Sequence, residues 1–76
     1  MANAYILITT KSGSEKEVLA ALKKSENVTD AQIVYGEYDL VVKVEVDDIT
    51  KLNEFLLESV RTINGIEKTS TVIVAS

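Results

Sequence analysis

Four apolar residues at strict period two, Leu40, Val42, Val44 and Val46, alternate with Val41, Lys43 and Glu45 in the middle of the chain. Successive side chains of a strand point to opposite faces, so this stretch predicts a strand with one face in a core and the other partly wet. Just before it, Val34-Tyr35-Gly36-Glu37-Tyr38-Asp39 sets a glycine between apolar, β-branched runs. That pattern predicts two strands meeting at a tight turn that holds Gly36, Glu37 and Asp39. Two of the three tyrosines, Tyr35 and Tyr38, flank this turn beside a carboxylate able to face a small cationic group.

The flanking segments supply the rest of a sheet and its cover. Ala4-Tyr5-Ile6-Leu7-Ile8-Thr9-Thr10 is largely apolar on both alternating faces and predicts a first strand buried on both sides. Lys11, Ser12 and Gly13 end it. Ser14 and Glu17 have the spacing of a capping box, so a helix is expected to open there, with Val18, Leu19 and Leu22 as its apolar stripe beside Ala21. Lys23 and Lys24 suit its C-terminal end, near Ser25 or Glu26. Residues 28–35 predict a second strand with Ala31, Ile33 and Tyr35 on one face and Gln32 and Val34 on the other. After the central strand, Asp47 or Asp48 caps a second helix whose stripe is Ile49, Leu52, Leu56, Val60 and Ile63, flanked by Phe55 and Leu57. Gly65 is expected to close it, and residues 69–75 form a last, uncharged strand.

Strand, helix, strand, strand, helix, strand is the order of an α+β, ferredoxin-like βαββαβ sandwich: a four-stranded antiparallel sheet with two helices on one face. A faint internal echo aligns Val28 with Ile66, as two βαβ halves require. The other sheet face is expected to carry apolar residues from the first, second and fourth strands, and a second copy of the chain is the economical cover.

Composition removes most alternatives. The 76 residues hold no cysteine and no histidine, which excludes disulfides, thiolate nucleophiles, imidazole acid-base work and nearly all soft-metal ligation. No catalytic residue, metal or cofactor is expected, and the chain reads as no enzyme. A chain this short buries only about 60% of its unfolded surface, leaving no room for a deep internal pocket. Twelve acidic against eight basic residues give a net charge of -4, the wrong sign for gripping a phosphate backbone, so no direct nucleic-acid contact is expected. Apolar runs are only a few residues long, and Met1-Ala2-Asn3-Ala4 lacks a signal-peptide pattern, so a cytoplasmic protein without membrane contact is expected.

Read singly, the polar candidates have plain structural alternatives. Ser12-Gly13-Ser14 is a fragment of a glycine loop with no following lysine, and Ser14 suits a helix cap, although the same helix opening offers free amides to a carboxylate. Gly36, Glu37 and Asp39 suit a solvated turn, and Thr69, Ser70 and Thr71 an ordinary strand.

The stretch from Gly36-Glu37-Tyr38-Asp39-Leu40 through Val44, then Asn53-Glu54-Phe55-Leu56, then Asn64-Gly65-Ile66-Glu67-Lys68-Thr69-Ser70-Thr71-Val72-Ile73-Val74, resembles the effector-binding domain of the Lrp/AsnC family of amino-acid-responsive regulators. That domain is often called RAM, for regulation of amino acid metabolism, and the resemblance spans essentially the whole chain. It implies an amino-acid effector held by Tyr35, Gly36, Glu37, Tyr38, Asp39, Thr69, Ser70 and Thr71. Asp39 would accept from the ammonium, and turn amides or the Thr69 and Thr71 hydroxyls would donate to the carboxylate. It further implies a homodimer assembling into a higher oligomer, an octamer or a decamer, with full-length Lrp/AsnC-type regulators as partners. Family members usually carry an N-terminal helix-turn-helix, whereas here the first strand begins within a few residues of Met1. The expectation is a stand-alone form, residues 1–76 making one ligand-binding and oligomerisation domain with an indirect role in transcription. The competing readings are a purely structural oligomerisation module and a small dimeric ferredoxin-like enzyme, the latter disfavoured by the absent histidine and the single arginine, Arg61.

Overall fold

The alternation at Leu40–Val46 forms the strand it predicts, with Leu40, Val42, Val44 and Val46 buried and the residues between them half-buried. The computed structural model describes residues 2–75. Its elements are β1 (Ala2–Thr10), α1 (Glu15–Lys23), β2 (Val28–Ile33), β3 (Leu40–Val46), α2 (Ile49–Phe55) running into a π turn (Leu56–Val60), and β4 (Ile66–Ile73). The strands lie in the order β2-β3-β1-β4 with every neighbouring pair antiparallel, which is the expected ferredoxin-like arrangement. Val28 and Ile66, the two residues of the internal echo, open β2 and β4.

Register decides which side chains meet. Ala31, Val42, Ile6 and Thr71 form one row across the sheet, and Ile33, Leu40, Ile8 and Thr69 the next. Ala4, Ile6, Ile8, Leu40, Val42 and Val44 are fully buried and share one core with Val18 and Leu22 of α1 and Leu52, Phe55 and Val60 of the second helical segment. That cover thins over β4, where Thr69 is exposed, Thr71 half-buried and Ile73 48% exposed on the same face.

The opposite face is less apolar than expected. Its rows are Gln32, Val41, Leu7 and Ser70, then Asp30, Lys43, Tyr5 and Val72. Strand β2 contributes Asp30 and Gln32 there, because Ala31 and Ile33 turn to the helices. An apolar band of Tyr5, Leu7, Val41, Val72 and Val74 therefore runs over β3, β1 and β4 and stops short of β2.

Both helices depart from the sequence pattern in detail. Ser14 precedes α1 at φ -98 and ψ 0 and makes no side-chain cap bond, so the capping box does not form; an N-cap residue normally needs extended angles to aim its oxygen at the amides. Helix α1 ends at Lys23, two residues before Ser25. Asp48 does cap α2, its Oδ1 accepting from the Lys51 amide at 2.9 Å. Along the second helical segment the core takes Leu52, Phe55 and Val60, while Ile49 is 47% and Leu57 56% exposed. Leu56 and Ile63 pack partly buried against the same core, so four of the five stripe residues keep their expected face and only Ile49 leaves it; the segment closes in a π turn, the Arg61 amide donating to the Leu56 carbonyl five residues back at 3.0 Å. Gly65 is no helix cap, since the helical segment ends at Val60; it lies in the turn into β4 at φ +100.

Candidate functional site

Strand β2 ends at Ile33, and residues 34–39 cross to β3 as a six-residue connection rather than a tight turn. The Val34 amide donates to the Asp39 carbonyl at 2.9 Å, closing the connection, and the Asp39 amide donates to the Ile8 carbonyl at 2.8 Å, tying it to β1. The Asp39 side chain completes the anchor. Its Oδ2 accepts from the Thr10 amide at 2.8 Å and from Thr10 Oγ1 at 3.3 Å. Thr10 is 5% exposed and is the buried polar residue among the described residues, so the carboxylate satisfies a backbone donor that water reaches poorly. Gly36 has φ +135 with open space where a Cβ would stand, so the angle alone calls for glycine. The tyrosines do not pack as a group: Tyr35 is wholly exposed, Tyr38 half-buried, and Tyr5 lies on the helix-free face opposite Val72.

Beside this connection lies a cavity of about 230 Å³ lined by Thr9, Glu37, Tyr38, Lys68, Thr69 and Ser70. The fold thus brings together Glu37, Tyr38, Thr69 and Ser70 from the residues expected at a site. Tyr35, Gly36, Asp39 and Thr71 do not line the cavity: Gly36 and Asp39 shape the connection, Tyr35 points into solvent, and Thr71 belongs to the helix-side row with Ile6. Sequence reasoning missed Thr9 and Lys68. They meet because β1 and β4 pair Thr9 with Lys68, followed by a register shift that pairs Thr10 with Ile66 and leaves Glu67 as the extra residue of a bulge. The shift turns Ile66 to the core and Lys68 to the opposite side.

Charge separates this cavity from one larger concavity, and its richer set of hydroxyls separates it from a neighbouring one of about 240 Å³ lined by Arg61, Glu67, Lys68 and Thr69 among apolar residues. A concavity of about 410 Å³ lies at the far end of β3 and is lined by Glu26, Glu45, Asp47, Glu54 and Glu58 with one cation, Lys51, so it repels an anionic group. Lys51 is already 3.5 Å from Glu54, the one ion pair among the described residues. No three carboxylates among the described residues are grouped to hold a metal. The smaller cavity instead offers one cation, one anion, three aliphatic hydroxyls and a phenol, which suits a small molecule carrying both charges and rules in no bond-making chemistry.

Known proteins carry the same domain. Residues 3–76 match the family described as the Lrp/AsnC ligand binding domain. The HTH-type transcriptional regulator FL11 of Pyrococcus furiosus is 39% identical over 71 residues, 93% of this chain and 46% of that protein. The chain thus spans about half the length of the curated relatives it matches. Among solved structures, hypothetical protein PHS023 from Pyrococcus horikoshii superposes with a TM-score of 0.95 at 43% identity, covering 100% of this chain and 92% of that one. E. coli AsnC gives 0.94 at 32% identity, covering 99% of this chain and 51% of that one. FL11 and AsnC are regulators and the matched domain is described as ligand-binding; homocitrate synthase of Sulfolobus acidocaldarius is also 32% identical over 75 residues, 95% of this chain and 16% of that protein. The chain belongs to the Lrp/AsnC family and carries that family's ligand-binding domain on a ferredoxin-like fold.

Proposed function

We propose that this chain is an amino-acid-binding regulatory domain that assembles with itself and acts on transcription indirectly, through full-length Lrp/AsnC-type regulators. The observation that carries the reading is the mixed-charge, hydroxyl-rich cavity between the 34–39 connection and β4. A free amino acid needs an acceptor for its ammonium and donors for its carboxylate, and this lining has both. In the proposed binding set, Glu37, Tyr38, Thr69 and Ser70 touch the ligand and Gly36 and Asp39 hold the connection in shape, while Tyr35 stands in solvent and Thr71 faces the helix side beside Ile6. At about 230 Å³ and open to solvent, the cavity falls below the size of typical enclosed ligand sites, and a second copy laid against it would complete the enclosure.

Each of the twenty free L-amino acids, tested singly in a thermal-denaturation screen, checks this reading. A ligand at about a hundred times its Kd adds about 2.7 kcal/mol, on the order of 10 °C in midpoint for a domain this size. A midpoint that none of the twenty moves overturns it. The band of Tyr5, Leu7, Val41, Val72 and Val74 supports self-assembly, and light scattering at micromolar concentration that finds only an 8.3 kDa species would remove that part.

The transcriptional part of the reading is indirect because the net charge of -4 opposes phosphate contact. Purified protein alone is expected to give no shifted band with duplex DNA at physiological salt, and a salt-sensitive band would refute this. No helix of the described residues is long and apolar enough to cross a membrane. A cytoplasmic location accords with the proposed partners.

A further inference from the structure

Thr9, Thr10 and Lys11, where β1 ends, each hold a different part of the molecule. Thr9 lines the small cavity and pairs with Lys68 of β4. Thr10 donates from its amide to Asp39 Oδ2 at 2.8 Å and from Oγ1 to the same oxygen at 3.3 Å, which ties down the 34–39 connection and the cavity wall carrying Glu37 and Tyr38. Lys11 donates from its amide to the Gly65 carbonyl at 2.7 Å, which ties down the turn into β4. The two anchored amides belong to successive planar peptide units joined only through the φ and ψ of Thr10, so a swing of one unit displaces the other. Neither anchor has slack. Thr10 is 5% exposed, so its amide finds little water if Asp39 leaves, and Gly65 sits so near α1 that a Cβ would stand 2.9 Å from Ser14 Cβ. The register shift between Thr9 and Thr10 interrupts the β1–β4 ladder just here, which raises the share of the strand end's hold that falls to these two anchors.

We infer that Thr10 and Lys11 form a clasp that makes the 34–39 connection and the Gly65 turn one cooperative unit, so that the two segments open and close together. Strand β4 supplies the cavity's opposite wall through Lys68, Thr69 and Ser70, a few residues past Gly65, so the clasp spans both walls. Whatever braces one segment stiffens the other, and by reciprocity a contact made at the turn tightens the connection. The coupling is a property of the chain itself and holds whichever molecule the cavity takes.

Native-state hydrogen exchange at rising, sub-denaturing urea tests this on the protein alone. The amides of Thr10, Lys11, Val34 and Asp39 each donate to one bond of the clasp or of the connection it holds. In the wild type these four are expected to open with one free energy and one urea slope, both below those of the Val42 and Val44 amides of the central strand, which report global unfolding. Asp39→Ala is expected to lower protection at Lys11 by the same factor as at Thr10, about 30- to 150-fold, although the bond from Lys11 to Gly65 loses none of its own atoms. Asp48→Ala, which removes the α2 cap at the other end of β3, is expected to lower protection at Lys51 and to leave the four unchanged. In the wild type, Lys11 opening apart from Thr10, Val34 and Asp39, or all four exchanging only with the global transition, overturns the clasp. So does Lys11 protection that Asp39→Ala leaves intact, or a fall of the four in Asp48→Ala as large as in Asp39→Ala.

Discussion

Replacing Gly65 with alanine is expected to cost about 2–5 kcal/mol of folding stability, from two penalties that add. Gly65 has φ +100, where a side chain costs about 1–2 kcal/mol. A Cβ there would also stand 2.9 Å from Ser14 Cβ and 3.2 Å from both Ser14 Oγ and Val18 Cγ2, an overpacking worth about 1–3 kcal/mol. Neither side can retreat. Val18 is wholly buried, and the Lys11 amide donates to the Gly65 carbonyl at 2.7 Å, which ties this turn to the segment before α1. A chain of 76 residues has roughly 4–11 kcal/mol of total stability, so the loss is a large share. Urea denaturation should show a lower midpoint with an unchanged slope. Gly36→Ala is the comparison, since its φ of +135 meets open space and only the angle is penalised. If the two variants unfold at one midpoint, the contact with Ser14 contributes nothing. Ser14→Gly in the Gly65→Ala background should restore part of the loss, because it removes the atoms that a Cβ would strike.

That contact shows which parts of the fold local sequence can and cannot express. The alternation from Leu40 to Val46 is a local pattern, and it predicts both the strand and its buried face. Asp48 is likewise legible as a cap, because its partner amide is three residues away. Ser14 is misread as a side-chain cap because the residue it packs against, Gly65, belongs to the other half of the chain. The second helical segment is legible in its stripe, since Leu52, Leu56, Val60 and Ile63 meet the core as the spacing predicts and only Ile49 does not; what a single 3.6-residue repeat does not express is the π turn closed by the bond from Arg61 to Leu56.

The candidate site divides along the same line. Gly36 and Asp39 stand out as turn residues, but a tight turn is too short for what forms: β2 stops at Ile33, and Tyr35 leaves the strand face where alternation would put it. The cavity is half legible, through Glu37, Tyr38, Thr69 and Ser70. Its other half depends on the β1–β4 register and on a one-residue bulge, which bring Lys68 to Thr9 across nearly the length of the chain. Nothing in the local pattern around Lys68 carries that information.

Asp39→Ala is the other variant expected to lose much stability, about 2–3 kcal/mol, because it strips the partner from a donor that water cannot easily replace. The donor is the Thr10 amide, 2.8 Å from Oδ2 on a residue only 5% exposed. The backbone bonds from Val34 to Asp39 and from Asp39 to Ile8 do not need the side chain, so the connection should keep its course while its grip on the end of β1 loosens. Asp39→Asn differs in kind from Asp39→Ala. An amide oxygen can still accept from Thr10, so the asparagine variant loses only the charge assistance, about 1 kcal/mol, and preserves the shape of the Glu37 wall. Hydrogen exchange at the Thr10 amide separates the cases: protection is expected to persist in the wild type and in Asp39→Asn and to fall in Asp39→Ala. Ligand affinity should follow the same order if Asp39 acts by positioning Glu37 and Tyr38. Should Asp39→Ala keep both its stability and its Thr10 protection, the carboxylate is not what holds the connection. If Asp39→Asn keeps that protection yet loses amino-acid affinity about ten- to hundredfold, then the carboxylate itself faces the ligand's ammonium.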